Sequence, residues 1–255
     1  MLRWILRKAA PIPALESFQR FLFIGPHPDD IEIGAGATAA KLARAGRTVK
    51  FLIATDGRYG LANAPDGTTA EKLIEIRKEE ALASAAKLGV HDVEFLGLSD
   101  GGQYEIQDLK NAIARAVGAF QPDVILAPDP WVSSECHKDH ICVGEAAREI
   151  AFFSPFKEIA ACYGARSAPV KALAYFMTAR PSQYVKTGKL INVQLDSIFS
   201  CHTSQFPPGS AEAASFPRYL MLRSLMFGLR RGCLHAEGFR MLDQTHMHCM
   251  PEAGR

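Results

Sequence analysis

Four short apolar runs, each closed by turn residues and separated from the next by a stretch with helical spacing, constrain this chain more than any other feature. They are FLFIG (21–25), TVKFLIAT (48–55), VEFLG (93–97) and DVILAP (123–128). Each has the length of a strand, and short apolar runs bounded by turns suit strands covered on both faces. Between them lie GAGATAAKLARAG, the charged stretch from Thr69 to Gly89 and the stretch from Gln107 to Phe120. Two of these close on a glycine, Gly46 and Gly89, where a helix C-terminus is expected. Strands that alternate with helices pair in parallel, so the expected class is α/β, a Rossmann-like doubly wound and mostly parallel sheet.

The pattern loosens after residue 154. A strand-like AYFM (174–177), a short helix near 190–202 and an apolar helix over 216–231 are expected there, forming a C-terminal segment that covers the sheet and completes the site wall. A length of 255 residues suits one domain over 1–255, with a core of about 19–154 and the site-completing segment at about 155–255. No repeat or low-complexity tract interrupts it.

Charge and cysteine usage exclude several classes. The net charge is +2 and the basic residues are dispersed apart from Arg230-Arg231, which leaves no electrostatic footprint for nucleic acid. The opening MLRWILRKAAPIPALE is broken by Arg3, Arg7, Lys8, Pro11 and Pro13. It is therefore read as a short amphipathic segment docked on the body or on a neighbouring subunit, not as a signal peptide or membrane span. Six cysteines without a C-x-x-C pair point to a reducing, cytoplasmic setting, and Cys136 is read as a small semi-buried thiol.

Parallel strands carry ligand sites beyond their carboxyl ends, which directs attention to the residues just after each apolar run. Those are Pro26-His27-Pro28-Asp29-Asp30, then Thr55-Asp56-Gly57, then Asp100, then Asp129 through His140. His27 and Asp30 are three apart, as are His137 and His140, and that spacing brings side chains to one side of a helical turn. A catalytic zinc takes three nitrogen or oxygen ligands and keeps a fourth position open. One pair plus one histidine supplies that set, leaving Asp29 and the other histidine for proton transfer and oxyanion stabilisation. Spacing leaves open which of His137 and His140 is the ligand.

Blander readings compete with this one. H-P-D-D after a strand also reads as a turn capping the next helix, and H-x-x-H arises by chance on helices; the joint placement at strand ends favours the metal. Gly34-Ala35-Gly36-Ala37-Thr38-Ala39 matches the dinucleotide pattern G-x-G-x-x-A, the basis of an alternative reading as a nucleotide-cofactor oxidoreductase. Eight residues including two aspartates separate Gly25 from Gly34, so the string is read as close helix-to-sheet packing. A non-catalytic sugar-binding protein is a third class. Arg77 and Glu80 lie in a charge run whose default is a solvated face. His202, His235, His246 and His248 read mostly as surface or satisfied histidines.

GPHPDD followed by IGAGATAAKLARAG, TDGRYG, Arg77-x-x-Glu80 and HKDH resembles the LmbE/PIG-L family of N-acetylglucosaminyl deacetylases. APDPW, AFFSP, SQF and AEGFR are most similar to its diacetylchitobiose deacetylase branch. The resemblance implies His27, Asp30 and His140 as Zn2+ ligands, Asp29 as general base and acid, and His137 as oxyanion partner. It implies Arg77 and Asp100 in or beside a sugar pocket, and His248 as a late histidine that reaches a neighbouring subunit's site in a homo-oligomer, a hexamer in that branch. The implied reaction removes acetyl from an N-acetylglucosamine-type sugar or short chitooligosaccharide, with a thiol-sugar precursor or natural product as the alternative substrate. Ile31 stands where many members carry a glutamate after the paired aspartates, and Asp196-Ser197 where others carry a lysine. The tail after Arg240 also diverges, so substrate choice is the least determined property.

Overall fold

The first strand, Arg20–Gly25 (β1), is a run of apolar side chains that lie alternately on two faces. Phe21 and Phe23 enter one core layer, while Leu22 and Ile24 enter the other. In the computed structural model, which describes residues 9–64 and 66–250, β1 has neighbours on both sides and is buried on both faces. Parallel partners flank it: Thr48–Thr55 (β2), with Phe23 opposite Phe51, and Val124–Pro128 (β4), with Phe23 opposite Leu126. Asp92–Leu98 (β3) continues beyond β2.

Helices cover both faces. Asp30–Arg44 (α1) and Ala70–Lys87 (α2) pack on the phenylalanine side, while Ile106–Phe120 (α3) and Lys138–Phe153 (α4) pack on the Leu22 side. The winding therefore changes face between β3 and β4. The crevice between β1 and β4 is the topological switch point, where ligand sites form in such sheets. The expected α/β doubly wound sheet is the observed one, and β1 to β4 lie within a residue or so of their expected bounds.

After a short helix at Lys157–Cys162 (α5), the chain adds Ala172–Phe176 (β5), parallel to β4. Gln183–Lys186 (β6), Leu190–Cys201 (α6), Ala211–Arg231 (α7), Ala236–Asp243 (β7) and Gln244–His248 (α8) follow. Among the described residues the sheet runs β3-β2-β1-β4-β5-β7-β6, with β7 antiparallel to both neighbours.

Helix α7 begins five residues before the expected 216. Ser210 accepts from the Ala213 amide and starts the helix there, so Pro217 falls inside it rather than in its first turn. Strand β7 was not expected, because its inward residues include Glu237 and Arg240, whose charges are met by distant partners: Arg240 binds Asp129 at 2.5 and 2.8 Å. The opening of the chain is described only from residue 9. Leu15 is buried there in a 3-10 turn and its amide donates to Gln183 Oε1 at 3.0 Å; residues 1–8 of the expected docking segment lie outside the described residues.

Candidate active site

Beyond Gly25 the backbone turns through Pro26-His27-Pro28 into Asp29, whose φ of 143° is a conformation that side-chain-bearing residues avoid. Asp29 occupies the N-cap position of α1 but makes no side-chain cap bond. Its carboxylate is instead 3.2 Å from Arg77 Nη2, and the same guanidinium donates to Pro28 O at 3.0 Å and to Gly57 O at 3.1 Å. The capping turn weighed from sequence thus holds a strained aspartate that does not cap.

Arg77 and Glu80 correct the expectation of a solvated charge run. Both are buried, at 4% and 9% exposed. Leu73, Arg77, Glu80, Ala81 and Ser84 form the inward stripe of α2, while Lys78 and Glu79 face out. Glu80 is met by the Ser204 amide at 2.8 Å and the Ser204 hydroxyl at 2.6 Å.

The two histidine pairs converge. His27 Nδ1 is 3.0 Å from Asp30 Oδ2, and His140 Nε2 is 3.3 Å from Asp30 Oδ1. The His27 and His137 ring centroids are 4.5 Å apart. From the loop after β3, Asp100 Oδ1 lies 3.1 Å from His27 Nε2, as does Asp139 Oδ2 from the start of α4. Two donor sets therefore share His27: His27, Asp30 and His140, and His27, Asp100, His137 and Asp139. In each, one ligand atom per residue lies within 4.8 Å of all the others.

Burial alone would lower the His27 imidazole, but hydrogen bonds to Asp100, Asp139 and Asp30 push it up to about 12. Asp30 is buried yet held well below the usual carboxylate range by His140 and His27. In this arrangement a proton on His27 supplies the positive charge that a buried cluster of carboxylates requires. A divalent cation meets the same requirement, and the mixed imidazole and carboxylate donors suit zinc. Burial raises Asp29 to about 6 against the pull of Arg77. Burial, and then the charges of His27 and His140, lower His137. The Asp139 amide donates to His137 Nδ1 at 3.3 Å, which leaves the ring proton on Nε2.

Asp139, fully buried, was not singled out from sequence. It accepts from the Gly101 and Gly102 amides at 2.8 and 2.7 Å and ties the β3 loop to α4; its place between His137 and His140 was the available signal. Glu135 was also missed, with Oε2 3.1 Å from His140 Nδ1. His202, read among the surface or satisfied histidines, is fully buried and 3.5 Å from Glu32. Cys136 is exposed rather than semi-buried.

An open cavity of about 300 Å³ lies over this cluster, lined by His27, Asp29, Tyr59, Arg77, Asp100, His137 and Gln205 among others. The GlcNAc-PI de-N-acetylase (PIG-L) family pattern matches residues 22–151, about half of the chain and the span that carries both clusters. Diacetylchitobiose deacetylase of Thermococcus kodakarensis is 30% identical over 239 residues, covering 92% of this chain and 87% of that protein. The chain belongs to the PIG-L family.

The PIG-L fold extends to the solved structures. N,N'-diacetylchitobiose deacetylase of Pyrococcus horikoshii, in complex with an inhibitor, superposes with a TM-score of 0.88 at 27% identity, covering 98% of this chain and 94% of that one. A 1D-myo-inositol 2-acetamido-2-deoxy-alpha-D-glucopyranoside deacetylase of Kineococcus radiotolerans is 30% identical over 166 residues, spanning 54% of this chain and 46% of that protein. Within this PIG-L chain His248 stands apart from the cluster. It lines a separate cavity of about 480 Å³ with Trp131, Arg148 and Phe152, and its ring centroid is 5.5 Å from that of Phe152. No helix among the described residues is long and apolar enough to cross a membrane.

Proposed function

We propose that this protein is a zinc-dependent N-deacetylase that releases acetate from an N-acetylglucosamine-type sugar or a short chitooligosaccharide. The observation that carries the reading is the donor set His27, Asp30 and His140 beside an aspartate, Asp29, that is strained, buried and held by Arg77. The relatives named for diacetylchitobiose and for a 2-acetamido-2-deoxy-glucopyranoside share one chemical element, an acetamide on a glucose ring, and that element defines the substrate class.

His27, Asp30 and His140 hold the metal, which when bound supplies Lewis acidity to the acetamide carbonyl and to water. Asp29, raised to about 6 and ionised at neutral pH, takes a proton from the attacking water and returns it to the departing amine. Arg77 keeps the Asp29 carboxylate aimed, its two terminal nitrogens being already engaged with Asp29, Pro28 and Gly57. His137 donates from Nε2 to the oxyanion that develops on the carbonyl, a task for the neutral tautomer. Asp100, Tyr59 and Gln205 line the cavity where sugar hydroxyls are met. A volume near 300 Å³ is at the small end of ligand pockets and suits one sugar ring with the rest of an oligomer outside. His248, remote in its own chain, serves a neighbouring subunit in a homo-oligomer. Six unpaired cysteines suit a reducing cytoplasm.

The nucleotide-cofactor alternative is weakened by one contact. The Ala37 and Thr38 amides, placed where G-x-G-x-x-A would bind pyrophosphate, donate to the Glu237 carboxylate. Purified protein is expected to carry about one zinc per chain, lost in His140→Ala, and to release acetate from N-acetylglucosamine or N,N'-diacetylchitobiose. A metal-free protein with bound nucleotide, or a zinc protein inert on every acetamido sugar, would overturn the proposal.

A further inference from the structure

Helix α1, which carries Asp30 in its first turn, is broken. Ala35 has φ −152° and ψ 17°, so Asp30–Arg44 is two helical pieces across a kink. An uninterrupted helix would bond the Gly36 and Ala37 amides to the Glu32 and Ile33 carbonyls. Here both sides of the break are taken by side chains from elsewhere. Ala37 N donates to Glu237 Oε1 at 3.2 Å and Thr38 N to Glu237 Oε2 at 2.7 Å. Gln194 Nε2, from α6, donates to Glu32 O at 2.7 Å and to Ile33 O at 3.3 Å. Glu237 and Gln194 are themselves buried, at 7% and 2% exposed.

Two glycines make room for the break. A Cβ on Gly34 would stand 2.3 Å from Phe176 Cδ2, and one on Gly36 would stand 3.0 Å from Gln194 Cγ. The glycine string that resembled a phosphate loop is thus a hinge with an internal anion at the amides beyond it and an internal amide at the carbonyls before it.

We infer that Glu237 and Gln194 are paired positioning residues: by holding α1 broken at Ala35 they set the direction of its first turn, and with it the placement of Asp30 against His27 and His140. The inference rests on the metal site proposed above. A carboxylate supplies acceptors to two amides and a primary amide supplies donors to two carbonyls, so each chemistry matches its side of the break. An unbroken helix would need neither, and would swing the turn before Ala35 onto the axis of the turns after it.

The test uses full-length protein with Glu237→Gln, which turns an amide donor toward the Ala37 or Thr38 N–H, and Gln194→Met, which keeps the volume and removes the donors. Ile113→Val, in the other core layer on α3, is the control for lost stability. Zinc affinity is measured by competition with a chromophoric chelator, the Co2+-substituted absorption spectrum reports ligand geometry, and the unfolding temperature is recorded without metal. Both variants are expected to fold, to bind zinc about 10-fold more weakly, as when partners behind metal ligands are removed, and to show an altered cobalt spectrum; the control keeps both unchanged. If one variant fails to fold, the other decides. Wild-type affinity and spectrum in the folded variants would overturn the inference, as would failure of both to fold, which would make the pair a support of the whole fold. Zinc uptake without acetate release would remove the deacetylase reading and leave this one standing. A wild-type protein that took up no divalent ion would overturn both.

Discussion

Asp29 bears two costs that a purely structural aspartate at a helix start avoids: a backbone at φ 143° and burial beside Asp30, which together with desolvation raises its carboxyl to about 6. Asp29→Ala is expected to abolish acetate release while zinc content, read by metal analysis, stays at the wild-type level; an active Asp29→Ala protein would exclude Asp29 as base. The Arg77 charge favours the ionised form of Asp29, so its removal raises that carboxyl further. In Arg77→Met the acid limb of kcat/KM should move up by about one pH unit, with a larger loss at pH 6 than at pH 8, and an unmoved pH profile would contradict the pairing. His27, Asp29 and Asp30 were legible because they follow directly on β1, and His137 and His140 because they stand at the start of the helix that follows β4. Arg77 was less so, because a charge run looks solvated until the packing partner of its helix is known. Which histidine of the second pair faces Asp30 was not written in the spacing at all, and His140 Nε2 at 3.3 Å from Asp30 is a fact of three dimensions.

Elements divide the same way. Strands β1, β2 and β4 announce themselves because their burial is met by apolar side chains they carry themselves, and the half-buried edge strand β3 because it keeps a short apolar run. β7 does not, since Glu237 and Arg240 are tolerated inside only through α1 and Asp129, contacts separated by more than a hundred residues of sequence. The glycine string of α1 was legible as a packing feature and illegible as a break, because no local signal marks Ala35. Gly34→Ala tests the packing directly. Its methyl would collide with the Phe176 ring, and overpacking of this kind costs about 1–3 kcal/mol, so the urea midpoint should fall with the m-value unchanged. A neutral Gly34→Ala would mean that β5 and α1 yield easily at this point.

For the molecule as a whole, the switch between β1 and β4 gathers its ionisable groups at one sheet edge, and pH should report it. In metal-free protein His27 keeps its proton to about pH 12 against an ordinary 6.5. Its contribution to stability is therefore complete below 6.5 and is lost as pH rises toward 12. Glu237, raised by burial from 4.5 to about 7, adds a loss over that lower interval. Metal-free protein should lose stability between pH 7 and 9 at up to about 1.4 kcal/mol per unit. Zinc-loaded protein should be flatter, since the metal takes the place of the His27 proton; urea unfolding with and without chelator compares them, and equal slopes would contradict the His27 assignment.

The reach of Glu237 back to Ala37 and Thr38, across 200 and 199 positions, also bears on the order of events at the ribosome. Synthesis runs from the N-terminus, so α1 emerges with the amides beyond Ala35 lacking their acceptor, and they wait until β7 delivers it. A nascent or truncated chain that stops short of Ala236 owns every proposed metal ligand and Gln194, yet lacks the Glu237 carboxylate that takes the amides beyond the break. Arrival of β7, rather than appearance of the proposed ligands, is then the event that readies the site for a metal.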